Sequence, residues 1–582
     1  MNRVYFMQRL LMVFLSCLYI SPTFAQINLK VDINGVSDDI ASNVRLFLSI
    51  EQQKNHALLS EARLRRLHKR SPKEISDALQ PYGFYRPNIE SKLTQPAPKQ
   101  WQVTYNIDPG PALRIGQFNF VISEEMRNDP EFQTLIQKPP LHIGGVFNHL
   151  VYEKLKTDLA RLAAERGYFS ARFVEHRVEI DLDKYEARVN LNYDGGPRYR
   201  FGEMILKQDV LDPALLRRYI PFEKGSPYNL AELIDLQQAL NDTEYFQSVE
   251  VSPGQAQIDS IDIPVNIELR PRKRHQYSIG LGYGTNTGVR TKFGWKVSPF
   301  NDRGHRFDTE AEVSEIGYRV SAHYRVPVMN PRTDQIVYTA EIDNEKTESS
   351  DSTVKTIGVS LNRTRNTWRE SIFLNYQQEK FVIAEDRGVS DLLIPGVSWS
   401  RTWGQGVIYT IDGLRLDISL RGASKQLISD TDFFQFQGGI KTISPLGRND
   451  RIITSGKLGA TWTQEFHQLP STIRFFAGGA QSVRGYKYES LGPKDANGEV
   501  IGGRYLVLGS IEYEHSFSSK WGAALFYDVG NAIDDFGDEL EHGAGFGFRW
   551  KSPVGAIRID LANAVSRDGH PWRLHINIGP DL

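Results

Sequence analysis

Residues 277–284 read Tyr-Ser-Ile-Gly-Leu-Gly-Tyr-Gly. Tyr277, Ile279, Leu281 and Tyr283 alternate with Ser278, Gly280, Gly282 and Gly284. A period of two belongs to a β-strand with one apolar face. Upstream of Arg274 helical and strand patterns alternate instead. The change of period near Arg274 divides the chain into an α+β arm and an all-β C-terminal region.

The alternation persists downstream. In 505–515, Tyr505, Val507, Ile511 and Tyr513 share one face and Ser510, Glu512 and Glu514 the other. In 521–529, Trp521, Ala523, Leu525, Tyr527 and Val529 share one face. Asn301-Asp302-Arg303-Gly304 and Asn330-Pro331 are turn signals. A β-sandwich would also alternate. Three features favour a closed transmembrane barrel: aromatics toward strand ends, charge on the inner face (Asp308, Glu310, Glu312), and an all-β region too long for one sandwich. Closure follows because lipid cannot satisfy an open sheet edge. Mean hydropathy is -0.40, and no stretch beyond the N-terminus reaches the ~20 apolar residues of a membrane helix, so a polytopic helical protein is excluded. A net charge of -1 gives no field that would favour nucleic acid.

The N-terminus reads as an export signal over 1–25. Arg3 and Arg9 are basic, Leu10 to Ile20 is a short apolar core, and Thr23-Phe24-Ala25 predicts cleavage after Ala25. The only cysteine, Cys17, lies inside it, and Phe14 and Leu15 do not suit a lipoprotein signal. The mature chain then has neither thiol nor disulfide.

The arm repeats. Gly110-Pro111-Ala112-Leu113-Arg114-Ile115-Gly116 matches Gly196-Pro197-Arg198-Tyr199-Arg200-Phe201-Gly202. Gly144-x-x-Phe147-Asn148 matches Gly225-x-x-Tyr228-Asn229, and each Asn can cap the following amphipathic helix. Val151, Leu155, Leu159 and Leu162 keep one helical face, and Glu232 suits a capping box after Asn229. Aromatic pairs then open strands: Phe84-Tyr85 after Gly83, Tyr168-Phe169 after Gly167, and Tyr245-Phe246. The first unit's helix is expected to start at Ser71, supported by Pro72 and Glu74. Three β-α-α-β-β units are expected at 26–109, 110–196 and 197–272, ahead of a barrel over 273–582. This order resembles the polypeptide-transport-associated (POTRA) domain.

Within the barrel, Phe475-Phe476-Ala477-Gly478-Gly479 leads into Ser482-Val483-Arg484-Gly485-Tyr486. Ile511, Tyr513, Tyr527 and Val529 would face lipid, so Glu512, Glu514, Phe526, Asp528 and Gly530 would face inward. A short turn near Ser518-Ser519 makes the two strands neighbours, which gathers carboxylates on one patch of inner wall. They repel unless a cation joins them, and a guanidinium on an in-folded loop suits the task. Gly485 lets the loop tip turn, and Gly530 is expected to leave room for it.

Val483-Arg484-Gly485-Tyr486 is similar to the V-R-G-[FY] loop of the BamA-like outer-membrane assembly and secretion barrel superfamily. Gly509-Ser510-Ile511-Glu512-Tyr513-Glu514 and Phe526-Tyr527-Asp528-Val529-Gly530 are similar to its two companion strand motifs. The resemblance implies an antiparallel barrel of 16 strands. It implies that Arg484 enters the lumen and clasps the wall, with Asp528 as a principal partner and either Glu512 or Glu514 as another. It also implies a seam between the first and last strands that parts sideways. The first strand's glycines (Gly280, Gly282, Gly284) and the Gly579-Pro580 end of the last independently predict a weak junction there.

No G-x-S-x-G, phosphate loop, H-E-x-x-H or cysteine cluster appears, so no catalytic residue, cofactor or metal is expected. Gly280-x-Gly282-x-Gly284 and Gly543-x-Gly545-x-Gly547 lie in strand patterns and read as small inward residues. The basic run 63–70 reads as a solvated helix face, and Arg270 to Arg274 as a stretch at the headgroups. Three repeats before a barrel look most like the outer subunits of translocation and assembly modules. That implies a periplasm-spanning inner-membrane partner on the POTRA domains, unfolded outer-membrane and autotransporter clients, and a lipid bilayer. The rival readings are a two-partner secretion pore and a passive channel.

Overall fold

The computed structural model describes residues 27–56, 59–255, 260–405, 409–552 and 555–579. The export signal with Cys17 and Ala25, and Pro580, lie outside the described residues. Two compact units form: residues up to Glu203 with 223–231 and 254–264, and 204–222 with 232–253 and 265–582.

In the arm, Asn28–Asn34 pairs parallel with the central strand Gln100–Asp108, and Asn88–Ala97 pairs with it antiparallel. Arg114–Ile122, Glu186–Asp194 and Arg172–Asp181 repeat the arrangement. A third sheet has the same order, Arg200–Lys207, Asp262–Pro271 and Phe246–Pro253. Each central strand alternates buried and exposed residues. Trp101, Val103, Tyr105 and Ile107 are all buried in the first core with Leu64, Leu67, Ile75 and Leu79.

Those last four residues lie on one helix, Glu61–Leu79, which begins ten residues before the expected Ser71. Its cap is Ser60, which accepts from the Arg63 amide. Ser71 is a core residue. Its hydroxyl donates to the Leu67 carbonyl (3.0 Å) and accepts from Tyr105 (2.7 Å). Glu74 instead receives the amide and hydroxyl of Ser49 at the start of Ser49–Gln52. The Ser-Pro-x-Glu signal is local, whereas the apolar stripe runs straight through it, and packing of that stripe decides the element. Burial pushes the Tyr105 hydroxyl up to about 12. The basic run 63–70 lies within this helix, with Arg65 bonded to Glu61 and placed over Trp101.

The expected caps form: Asn148 accepts from the Leu150 and Val151 amides at the head of His149–Glu165, and Asn229 from Ala231. The two repeated motifs also prove to be halves of one structure. Phe147 donates to Leu113 and Gly144 to Ile115; Tyr228 donates to Tyr199 and Gly225 to Phe201. Each pair is joined to the unit before it through a glycine. The Gly83 carbonyl accepts from Leu113 (2.8 Å) and the Gly167 carbonyl from Tyr199 (2.9 Å). Both glycines are left-handed (φ 87° and 85°). A Cβ on Gly83 would stand 2.3 Å from the Phe147 carbonyl oxygen, and one on Gly167 2.7 Å from the Tyr228 Cβ.

The C-terminal sheet has 16 strands paired antiparallel in sequence order, from His275–Gly284 to Trp572–Gly579. Tyr277, Ile279 and Leu281 stand on its outer face, while Asp308 pairs with Arg325, and Glu310 and Glu312 with Lys292. Aromatics cluster near strand ends, as in Trp521 on Trp550 (5.4 Å) and Trp295 beside Phe307 (5.9 Å). Segments 204–222 and 232–253 pack with this sheet in the second unit. Tyr245 donates to the Gly304 carbonyl (2.5 Å) beneath the Arg306 guanidinium, and Tyr219 donates to Pro331.

Alanine at Gly83 or Gly167 adds ~1–2 kcal/mol of left-handed strain to each steric clash. Limited proteolysis of the full chain is expected to show faster cutting at 110–113 in Gly83→Ala and at 196–199 in Gly167→Ala. Unchanged cutting would mean that these contacts do not set the joints.

Candidate functional site: the in-folded loop and its charged wall

The segment between strands Asp450–Trp462 and Tyr505–Ser516 is folded against the inner wall. Val483 and Tyr486 are buried with Phe475, Ala477, Leu491, Ala532 and Ala564. At its tip Gly485 is left-handed (φ 98°), and a Cβ there would lie 2.8 Å from the Ala564 nitrogen. Only glycine permits this approach.

Arg484 is the centre of the site. Its Nε and Nη2 form a fork on Asp528 (2.7 and 2.9 Å), whose Oδ2 also accepts from the Arg484 amide (3.1 Å). Nη1 donates to Glu512 (2.7 Å) and to Asp560 (3.2 Å). The guanidinium carbon lies 3.4 Å from the centre of the Phe526 ring. Ser510 donates to Asp528 (2.6 Å), its register partner across the ladder.

The open choice between the two glutamates resolves by register. Glu512 faces Phe526 and reaches Arg484, whereas Glu514 faces Ala524 and pairs with Arg451 and Arg549. Arg549 also bonds Glu512 and Asp560. Three guanidiniums thus bridge four carboxylates, each less than a tenth exposed, so that every carboxylate bonds at least one guanidinium. Charges so buried persist only as a fully paired set.

The sequence reading missed Arg549, Asp560, Arg451 and His575. Arg549 does share the face of Gly543, Gly545 and Gly547, so strand parity would have placed it inward. Of these three glycines, read as small inward residues, Gly543 clears the loop itself, and Gly545 and Gly547 clear wall residues of the site. A Cβ on Gly543 would lie 2.0 Å from the Arg484 carbonyl oxygen, one on Gly545 2.6 Å from the Phe526 ring, and one on Gly547 1.9 Å from Asp560. Gly530 requires a correction. A Cβ there would meet the Val507 carbonyl (2.3 Å) and Leu508 of the neighbouring strand, so the room it leaves serves the ladder rather than the loop.

The loop touches the wall elsewhere as well. Tyr486 donates to Glu541 (2.7 Å), Tyr488 to Glu345 (3.1 Å), and Ser349 to the Glu489 carbonyl (2.7 Å). The Gly485 amide donates to His575 Nε2 on the last strand (3.0 Å). At the seam, no ladder joins the first and last strands among the described residues. Thr285 donates to the Ile576 carbonyl and Ile576 to the Thr285 hydroxyl, both at 3.3 Å. Gly280 and Gly282 lie against Lys292 and Arg290 of the second strand, Gly284 lies beside Thr287, and Gly579 pairs with Ala556.

Replacing Asp528 with Asn removes a buried partner and is expected to cost about 3–5 kcal/mol of loop and barrel stability. Semi-native electrophoresis should show the folded band lost at lower temperature in Asp528→Asn, and in Arg484→Lys, which lacks the fork. The exchange Arg484→Glu with Asp528→Arg is expected not to restore the wild-type midpoint, because Glu512 and Asp560 would still face a carboxylate. Full recovery would mean that the Asp528 pair alone sustains the lock.

Burial, and then the charge of Glu345, push the Glu489 carboxyl up to about 7. A glutamate in the released loop titrates near ~4.3. The docked loop therefore holds the extra proton between these values, and docking weakens as pH rises through that window. Protection factors over 487–490, with the intrinsic pH dependence of amide exchange divided out, are expected to be higher near ~pH 5 than near ~pH 8, with the difference flattened in Glu489→Gln. Equal protection factors at both values in the wild type would contradict this linkage.

Comparison with known proteins follows these features. Residues 300–581 match the Omp85 superfamily domain, 30–109 match POTRA domain TamA domain 1, and 199–271 match a POTRA model described as a surface antigen variable number repeat. The chain is 30% identical over 162 residues to the outer membrane protein assembly factor BamA of Nitratidesulfovibrio vulgaris, covering 26% of this chain and 20% of that one. It is 20% identical over 526 residues to BamA of Neorickettsia risticii, covering 84% and 69%. The chain thus spans a fifth of the first relative's length. The crystal structure of BamA from Haemophilus ducreyi lacking POTRA domains 1–3 superposes with a TM-score of 0.68 at 18% identity, over 80% of this chain and 99% of that one, a likeness of fold. A V-R-G-Y loop locked inside a 16-stranded antiparallel barrel, with POTRA matches ahead of it in sequence, accompanies an Omp85 superfamily domain over residues 300–581.

Proposed function

We propose that this protein is an outer-membrane assembly factor, the barrel subunit of a translocation and assembly module. It inserts or translocates autotransporters and other outer-membrane clients without a cofactor or bond-making chemistry. The observation that carries this reading is a barrel whose first and last strands have no ladder between them among the described residues, with a loop locked on its inner wall. Among the described residues the edge of the first strand that faces the last has no ladder partner, and such an edge templates an incoming strand. The match of residues 30–109 to POTRA domain TamA domain 1 supports this subtype.

The arm offers the remaining contacts. Each three-stranded sheet ends on two edge strands, such as Asn28–Asn34 and Asn88–Ala97 in the first. Edges of this kind accept an extended segment by β-augmentation. We assign to them client strands and a TamB-like, periplasm-spanning inner-membrane partner, with the N-terminal domains in the periplasm. A passive channel is disfavoured by the loop that occupies the inner wall, and a two-partner secretion pore is the remaining alternative.

Deleting the protein and taking a census of outer-membrane proteins tests the reading. Defects in several barrel and autotransporter proteins are expected. Loss of a single secreted protein would replace the proposal with dedicated secretion, and altered solute uptake alone would replace it with a channel.

A further inference from the structure

Among the described residues the direct hydrogen bonds across the seam are those between Thr285 and Ile576, and the last strand and the hairpin that follows the first are both reached from inside by the same loop. On the last strand, His575 is buried and points to the lumen, and its Nε2 accepts the Gly485 amide (3.0 Å). Nε2 is therefore unprotonated and the ring's proton sits on Nδ1. On the other side, Asn286 caps the hairpin between His275–Gly284 and Gly288–Val297, and its Oδ1 accepts the Ala480 amide (3.3 Å). Gly479 packs on the same side chain, close enough that a Cβ there would stand 3.0 Å from the Asn286 amide nitrogen. Ala480 and Gly485 belong to one short stretch of loop, and Arg484, next to Gly485, anchors that stretch through Asp528.

The direct strand contacts are confined to one place. Both are 3.3 Å long, as the Asn286 contact is, and both involve the single pair Thr285 and Ile576. No ladder bond supports residues 275–281 from the last strand among the described residues.

We propose that residues 479–485 are a staple across the seam, with Asn286 and His575 as its two feet and Arg484 as its anchor. The staple holds the seam shut beside Thr285 and Ile576, so releasing Arg484 from the wall and parting the strands are one linked event. Asn286 and His575 are positioning residues: each acts by holding a strand to the loop. This inference deepens the proposed function and rests on its seam without a ladder.

The test uses the full-length protein in lipid with spin labels at Leu281 and Leu574, which stand exposed on the outer faces of the first and last strands. Wild type is expected to give one narrow distance. His575→Ala combined with Asn286→Ala is expected to add a second, longer population while the folded band on semi-native electrophoresis persists. His575→Ala alone is expected to show the longer population too, and His575→Gln, whose carbonyl oxygen can accept the Gly485 amide, is expected to restore the single distance in the same Asn286 background, which a role in packing alone would not do. Arg484→Ala should produce the same longer population, and adding the two foot substitutions to it should change nothing further.

An unchanged distance in the double variant would overturn the staple, and so would a further widening when the feet are removed from Arg484→Ala. Should Arg484→Ala fail to fold, the double variant and the glutamine rescue decide the matter alone. The labels read the seam without any client. A closed seam in the double variant beside a normal outer-membrane census would therefore reject the staple and leave the assembly role standing. A census showing no client defect on deletion would reject the role itself.

Discussion

Buried charge is the constraint from which the barrel's interior follows. Arg484, Arg549 and Arg451 lie among Asp528, Glu512, Glu514 and Asp560 with little access to water. With the loop withdrawn, two guanidiniums would face four carboxylates on the same wall. The loop is therefore more than a plug. It supplies the third cation to a wall of four carboxylates that repels itself more strongly without it. Strands Tyr505–Ser516, Trp521–Ile533, Glu541–Ser552 and Gly555–Ala564 each contribute a charge or a clearance, so the site fixes their relative register as much as they fix the site.

The arm and the barrel meet a shared problem in the same way, by removing a side chain where two backbones must approach. Gly83 and Gly167 clear the way for Phe147 and Tyr228 in the arm; Gly485 and Gly543 clear it for the loop tip in the barrel. The clearance carries a different load in each. In the arm it seats a turn whose neighbours exchange backbone hydrogen bonds, and in the barrel it brings a cation within bonding distance of its partners.

Much of this was legible in the sequence, and the reasons are local. Alternation at 277–284 and 505–515 reports strands because one face meets lipid, and the fold class read from it is the one observed. The V-R-G-Y loop and Asp528 were visible because motif and parity agree. Parity alone left Glu512 and Glu514 equivalent, since both face inward; only the register against Phe526 and Ala524 separates them. Arg549, Asp560 and His575 carry no motif, and they join the Arg484 cluster or its loop only because five strands close around it. At Ser71 the opposite failure occurred: a strong local signal for a helix start was overruled by the apolar stripe from Leu64 to Leu79, which the Ser-Pro-x-Glu pattern does not register.

The glycine at 543 amounts to a mould of the loop cast in the wall. Its missing methyl group records where the Arg484 backbone must lie, and those of Gly545 and Gly547 record where the wall's own Phe526 ring and Asp560 must lie. Loop and wall are consequently a single module despite their distance in sequence. A graft of residues 475–491 into another barrel would find no seat unless the strand Glu541–Ser552 travelled with it, and a methyl gained at Gly543 would demand a compensating shift in the loop tip.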